Sequence, residues 1–385
     1  MNLLDLVLVL AGLSAALAGY RLGFLARALS WAGMALGLVV AARLLPAIVE
    51  RVASAEPGRR LLVAVALLLG GAFVGQALGL VLGGRARHAL PPEGRPLDRA
   101  AGALAGVLSV LVALWLLLPA LAALPGTVSR QARTSTIAQA VDAAAPDPPD
   151  ALHALRRLVG ESRFPQVFAS LRPAPDVGPP PVDSGLTERV AEDVAASTVR
   201  VEGLACSRLQ EGSGFVAAPG IVVTNAHVVA GTEETALVRR DRTRVAARVV
   251  LFDSERDLAL LQAPEIGLRP VPLAEQAQVG LRGAVFGYPA GGELALSPFA
   301  IRQEIQAVGR DLYDRRDTRR SVLVLASVLA PGDSGGAVVE PGGSVVGVAF
   351  AIAPDQPGTA YALDVSELRK VLAEPRAPSG TGECL

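Results

Sequence analysis

Lysine is almost missing from this 385-residue chain: Lys370 is the only one, and arginine supplies the rest of the 36 basic residues. Acidic residues also number 36, so the chain has no surplus positive charge with which to hold a polyanion. Nucleic acid is excluded as a partner on that ground. Histidine is nearly as scarce, with His88, His153 and His227 the whole supply, and cysteine is limited to Cys206 and Cys384. These few scattered ligands predict no metal site and no cofactor. The arginine bias, with abundant alanine and glycine, fits a GC-rich bacterial genome.

Long apolar runs are plentiful, and all lie in the first third. Four of them cover roughly Leu3–Tyr20, Phe24–Ala42, Leu61–Gly84 and Ala101–Ala122. Leu61–Gly84 holds 24 uncharged residues, enough to cross a hydrocarbon core of about 30 Å at about 1.5 Å per residue. A cleaved signal peptide is the competing reading of the first run. Asp5, the lack of a basic n-region and the three further runs argue against it. A four-helix transmembrane domain over 1–125 is therefore predicted, with the bilayer as partner, and with Arg27 and Arg43 snorkelling at the ends of the second run. Arg21, Arg27, Arg85, Arg87, Arg95 and Arg99 flank the first and third loops, against Arg51, Arg59 and Arg60 in the second. That bias places both termini, and everything after the fourth helix, outside the cytoplasm. Gly71, Gly75, Gly79 and Gly83 form a side-chain-free stripe, repeated by Gly102 and Gly106. Such stripes let helices approach closely, within the bundle or in self-association with another copy.

Residues 126–186 are proline-rich at both ends and read as a linker, with a short amphipathic helix at Ala151–Val159 carrying His153 on its surface. From 187 to 385 the pattern changes to short β-rich runs broken by glycine, proline and charge, such as "GSGFVAA", "GIVVTNAHVV" and "SVVGVAFAIA". Many short strands without long helices predict a pair of antiparallel barrels.

"APGDSGGAVV", residues 330–339, sets Ser334 in a glycine-rich turn. A serine hydroxyl attacks a carbonyl only when a neutral imidazole takes its proton and a carboxylate orients that imidazole. His88 falls in a predicted loop of the membrane third and His153 in the linker, so His227 in "VVTNAHVV" is the remaining base. Asp257, directly before the apolar Leu258–Leu261, is the leading carboxylate, with Asp253 and Glu255 as rivals. The backbone N–H groups of Gly332 and Ser334 are placed to form an oxyanion hole.

The order His227, Asp257, Ser334, with intervals of 30 and 77 residues, is that of chymotrypsin-type triads. "TNAHVV", "RDLALL" and "GDSGG" resemble the catalytic blocks of chymotrypsin-fold proteases, especially the bacterial HtrA/Deg branch. With the apolar front and the proline-containing linker, nearly the whole chain resembles the actinobacterial MarP-type membrane-anchored periplasmic proteases. The resemblance implies a colicin V production-like four-helix transmembrane bundle followed by an all-β chymotrypsin-like double β-barrel. It also implies a serine endopeptidase acting on an envelope polypeptide in acid and oxidative stress. A catalytically weak protease fold acting as a binding or regulatory module for the membrane domain is the alternative.

Two departures stand out. The chain after the last predicted strand leaves no room for the PDZ domain usual in HtrA proteases. Asp333 resembles the aspartate that pairs with a freed N-terminus in trypsin-like zymogens, yet no activation site is present, which leaves another donor or a regulatory linker cleavage. Val328, six residues before Ser334, argues against a preference for basic residues, and the lack of a further histidine argues against glutamate specificity. Outside the cytoplasm Cys206 and Cys384 are expected to pair, closing a 178-residue interval, with free or intermolecular thiols as the other possibility.

Overall fold

The computed structural model describes residues 2–51, 57–124, 126–146, 173–205 and 208–385. Cys206 and the helix expected at Ala151–Val159, with His153, lie outside the described residues. The chain divides into two compact units, one of Met1–Pro119 with Ser135–Ala145, the other of Ala120–Thr134 with Pro146–Leu385.

In the first unit, α1 (Leu3–Leu22), α2 (Phe24–Arg51), α3 (Pro57–His88) and α4 (Arg95–Ala123) contain four segments long and apolar enough to cross a membrane. The glycine stripe of α3 faces α2 of the same chain. A Cβ on Gly75 would overlap the carbonyl of Gly33, and one on Gly71 would meet Gly37 O and the Ala41 methyl, both at 2.7 Å. The stripe is thus consumed by intramolecular packing rather than offered to a second copy, because only hydrogen fits between backbones this close. Arg27 donates to the Ala15 carbonyl (3.2 Å) and lies over the Trp31 ring instead of snorkelling away. Asp5, polar in an apolar run, caps a second helix. Its carboxylate accepts from Ser135 Oγ (2.6 Å) and the Ile137 N–H (3.0 Å) at the start of α6 (Thr136–Ala144). An anion at a helix N-terminus satisfies donors that have no partner within the helix.

The second unit includes α5 (Thr127–Thr134), inside the segment expected to be a linker. Ser129 and Ala132 on α5 are fully buried. Gly126 N–H donates to Pro354 O (2.8 Å), and Arg130 Nε to Asp355 O (3.2 Å). The buried Asp355 carboxylate lies 3.7 Å from Arg133 Nε and accepts the Ala174 N–H at 2.9 Å. Both ends of the expected linker therefore pack on the β-rich half.

After α7 (Glu188–Ala195), six strands close the first barrel in the order β1-β2-β3-β6-β5-β4. These are β1 (Thr198–Ala205), β2 (Arg208–Ala218), β3 (Ile221–Thr224), β4 (Thr232–Val238), β5 (Arg244–Asp253) and β6 (Leu258–Gln262), with the short α8 (Ala226–Val229) after β3. The second barrel closes as β10-β11-β12-β9-β8-β7. Its strands are β7 (Arg282–Gly287), β8 (Ala295–Arg310), β9 (Asp317–Ala326), β10 (Ala337–Val339), β11 (Val345–Ile352) and β12 (Thr359–Asp364), followed by α9 (Val365–Ala373). Side chains alternate faces along each strand, so neighbours serve different cores. Val216 enters the first barrel's core, while Phe215 joins Leu258, Leu260, Phe286, Val324 and Phe350 in a cluster drawn from both barrels. Each such side chain contributes about 1.5–3 kcal/mol on burial, and this shared cluster fixes one barrel against the other. Past α9 the tail returns over the first barrel, where Ser379 N–H donates to Val249 O (3.0 Å) and Gly231 N–H to Thr381 O (2.9 Å).

Arg133 is the cation beside a carboxylate with almost no solvent. Arg133→Ala is expected to lower unfolding free energy of the β-rich unit by about 2 kcal/mol, with little further loss in an Asp355→Asn background. An unchanged denaturation midpoint for Arg133→Ala contradicts this.

Candidate active site

β3 pairs with β6 so that Thr224 lies opposite Ala259. This register brings the end of β3 beside the start of β6, the two places that carry His227 and Asp257. Asn225, the residue before α8, donates from Nδ2 to Asp257 O (2.8 Å), which ties the two ends together. Asp257 is fully buried, and its carboxylate meets His227 twice. Oδ1 accepts the His227 N–H at 2.9 Å, and Oδ2 lies 2.7 Å from His227 Nδ1. An ionised carboxylate only accepts, so Nδ1 carries the proton and the lone pair of the neutral ring is left on Nε2. Asp257 has a φ of +59°, a left-handed conformation unusual outside glycine. Of its rivals, Asp253 accepts the Glu255 and Arg256 N–H groups (2.9 and 2.8 Å), and Glu255 faces Arg316 on the surface (3.2 Å).

Ser334 belongs to the other barrel, in the turn before β10. Asp333 N–H donates to Ala330 O (3.0 Å), Gly336 N–H to Asp333 O (2.9 Å), and Gly335 N–H to Ala349 O on β11 (2.8 Å). Gly332 has a φ of +103°, and a Cβ there would overlap Tyr288 O, so glycine is required on both counts. Neither the Gly332 nor the Ser334 N–H meets a protein acceptor among the described residues. No hydrogen bond joins Ser334 Oγ to His227 among them either, though Ser334 and Val228, the residue after His227, both approach Gly212. A Cβ on Gly212 would lie 2.6 Å from the Val228 side chain and 3.2 Å from Ser334 O.

Ser213 on β2, which the motif reading passed over, sews the seam. Its N–H donates to Ser334 O (2.8 Å) and its Oγ to Gly332 O (2.7 Å), while Oγ accepts the Tyr288 N–H (2.8 Å). The Gly332 carbonyl is thereby held on Ser213. Its one sequence signal is a small residue between glycines in "EGSGF".

Asp333 finds its donor within its own turn: Oδ2 accepts the Ala330 N–H at 2.8 Å, and no basic side chain reaches it among the described residues. Burial pushes this carboxyl up to about 6, opposed only by that one hydrogen bond. Val328 is largely exposed near the turn. Among the described residues no His/Cys/Asp/Glu cluster suited to a metal occurs.

Between about pH 4 and 6 the native state keeps a proton on Asp333 that the unfolded chain, titrating near 4, has lost. Stability from this group is therefore full below about pH 4 and falls as pH rises to about 6, by roughly 3 kcal/mol. Asp333→Asn is expected to remove this fall, so that its stability gain over wild type grows from pH 4 to 6. Parallel denaturation curves for the two proteins across that range contradict it.

Comparison with known proteins covers the whole chain. A profile of the trypsin-like peptidase domain matches residues 212–348, and one of colicin V production protein matches residues 4–146. Serine protease Rv3671c of Mycobacterium tuberculosis is 33% identical over 404 aligned positions, spanning 99% of this chain and 98% of that protein. The chloroplastic Protease Do-like 1 of Arabidopsis thaliana is 35% identical over 151 positions, 37% of this chain and 33% of its own. The active form of the Rv3671c protease, a solved structure, is 34% identical with a TM-score of 0.51, covering 54% of this chain and 93% of that one.

Proposed function

The chain belongs to the MarP-type serine proteases, and from that premise we propose that His227, Asp257 and Ser334 are its catalytic triad. The observation that carries the reading is the His227 Nδ1–Asp257 Oδ2 contact of 2.7 Å, made one residue from Val228 at the seam where Ser334 turns. Asp257 holds the ring with Nδ1 protonated, and His227 Nε2 takes the Ser334 Oγ proton as Oγ attacks the scissile carbonyl. The Gly332 and Ser334 N–H groups receive the oxyanion. The imidazolium then returns the proton to the leaving amine, and a water repeats the sequence on the acyl-enzyme. The Oγ–Nε2 contact closes when substrate enters, as catalytic hydrogen bonds in ligand-free enzymes often do.

The four apolar segments anchor the enzyme in a membrane, and the arginine bias puts the protease outside the cytoplasm. Its substrate is an envelope polypeptide cut next to a residue that is neither basic nor acidic. The family resemblance supports a role in acid and oxidative stress. A fluorophosphonate probe is expected to label the full chain in detergent, and Ser334→Ala to abolish labelling. His227→Ala is expected to lower kcat/KM by at least about a thousandfold. Equal labelling of Ser334→Ala would sink the assignment.

Cys206 pairs with Cys384 in this reading. Ala205, its neighbour, lies opposite Thr232, and a Cβ on the adjoining Gly231 would come within 2.9 Å of Cys384 Sγ. Closing so long a loop stabilises by roughly 4–5 kcal/mol in a chain-entropy treatment. Reductant and Cys384→Ser should each lower the melting temperature, without additivity. A melting temperature indifferent to reductant overturns the pairing.

A further inference from the structure

The turn that presents Asp257 is gripped from the opposite barrel. A left-handed backbone at a non-glycine residue persists only where its surroundings over-determine it, and the φ of +59° at Asp257 is such a case. On its own barrel the turn is shaped by Asp253, whose Oδ1 accepts the Glu255 and Arg256 N–H groups and whose Oδ2 accepts Arg256 Nη1 (2.7 Å). The Arg256 guanidinium then reaches across, with Nε donating to Glu367 Oε2 on α9 at 3.1 Å. Glu367 is itself fixed: it is 3% exposed, and Oε1 accepts the Ser321 N–H on β9 (3.0 Å) and Lys370 Nζ (2.9 Å). Against the desolvation of burial, these hydrogen bonds and the Arg256 and Lys370 charges hold its carboxyl below the ordinary value, so it stays ionised. Ser254 O, in the same turn, accepts the Leu312 N–H (2.9 Å) from the loop between β8 and β9.

We propose that Glu367, acting through Arg256, is a positioning residue for the triad, holding Asp257 against His227 from the second barrel. The proposal rests on Asp257 being the triad carboxylate. Arg256 is the residue immediately before Asp257, so a guanidinium clamped between Asp253 and Glu367 fixes the direction from which the chain enters the left-handed residue. The second barrel carries Ser334 as well as Glu367, so one rigid body then orients both the nucleophile and, through Arg256, the acid that orients the base.

The test uses the full chain in detergent with a peptide substrate. Glu367→Gln keeps the side chain's shape and an acceptor for Ser321, but loses the charge that holds Arg256. It is expected to lower kcat about tenfold, as sub-ångström misplacement of a catalytic group does, with KM within about twofold. The strongly downfield proton resonance of the His227–Asp257 hydrogen bond should weaken with it. Arg256→Gln should act alike, and the double variant should be no worse than the worse single. Arg256→Gln read alone serves if Glu367→Gln does not fold. Wild-type kcat and an unchanged resonance in either variant overturn the proposal, as does a loss seen only as a lower melting temperature. Asp257→Asn separates the two claims: if it keeps full kcat, the triad assignment itself has failed, whatever Glu367 does.

Discussion

The seam between the barrels is the constraint on which the rest depends. Ser334 stands on the second barrel, while His227 and Asp257 stand on the first, so no single sheet can hold the three in register. Ser213 meets this demand with one residue, spending its N–H on Ser334 O and its hydroxyl on Gly332 O and the Tyr288 N–H. A buried hydroxyl with both donor and acceptor capacity filled is rigid, and removing it would take a partner from the buried Tyr288 N–H and from the half-buried Gly332 carbonyl. The shared apolar cluster of Phe215, Phe286 and Phe350 supplies non-directional cohesion, and Ser213 supplies direction.

The same logic of remote bracing recurs around the β-rich unit. Arg256 and Glu367 join the barrels behind Asp257, the tail beyond α9 crosses back over β5, and α5 docks on Asp355. In each case a segment distant in sequence supplies a further hydrogen-bond or ionic partner to a polar group of the fold. In the first unit, Asp5 does the same for the start of α6.

Much of this was legible in the sequence, for identifiable reasons. The four apolar runs and the two barrels follow from local patterns, which hydrophobic periodicity records directly. The meeting of Asp257 with His227 was legible because an apolar strand follows Asp257 at once and because histidine is so scarce. Ser213 was not legible, since its hydroxyl contacts lie 75 and 119 residues away. Nor was α5, whose polar "TVSRQART" reads as linker until the buried Asp355, 225 residues on from Arg130, supplies a partner. The glycine stripe of α3 was visible, but its choice of α2 was not, because spacing shows a close approach without showing to what. Asp333 resembled a zymogen's pairing residue, and only the folded turn shows its donor to be the Ala330 N–H.

The most direct measurement is the site of acylation. With the full chain and an activated ester, a burst of one equivalent of leaving group is expected, with an acyl group that peptide mapping places on Ser334. An acyl group on any other residue, or a burst that survives Ser334→Ala, would contradict it.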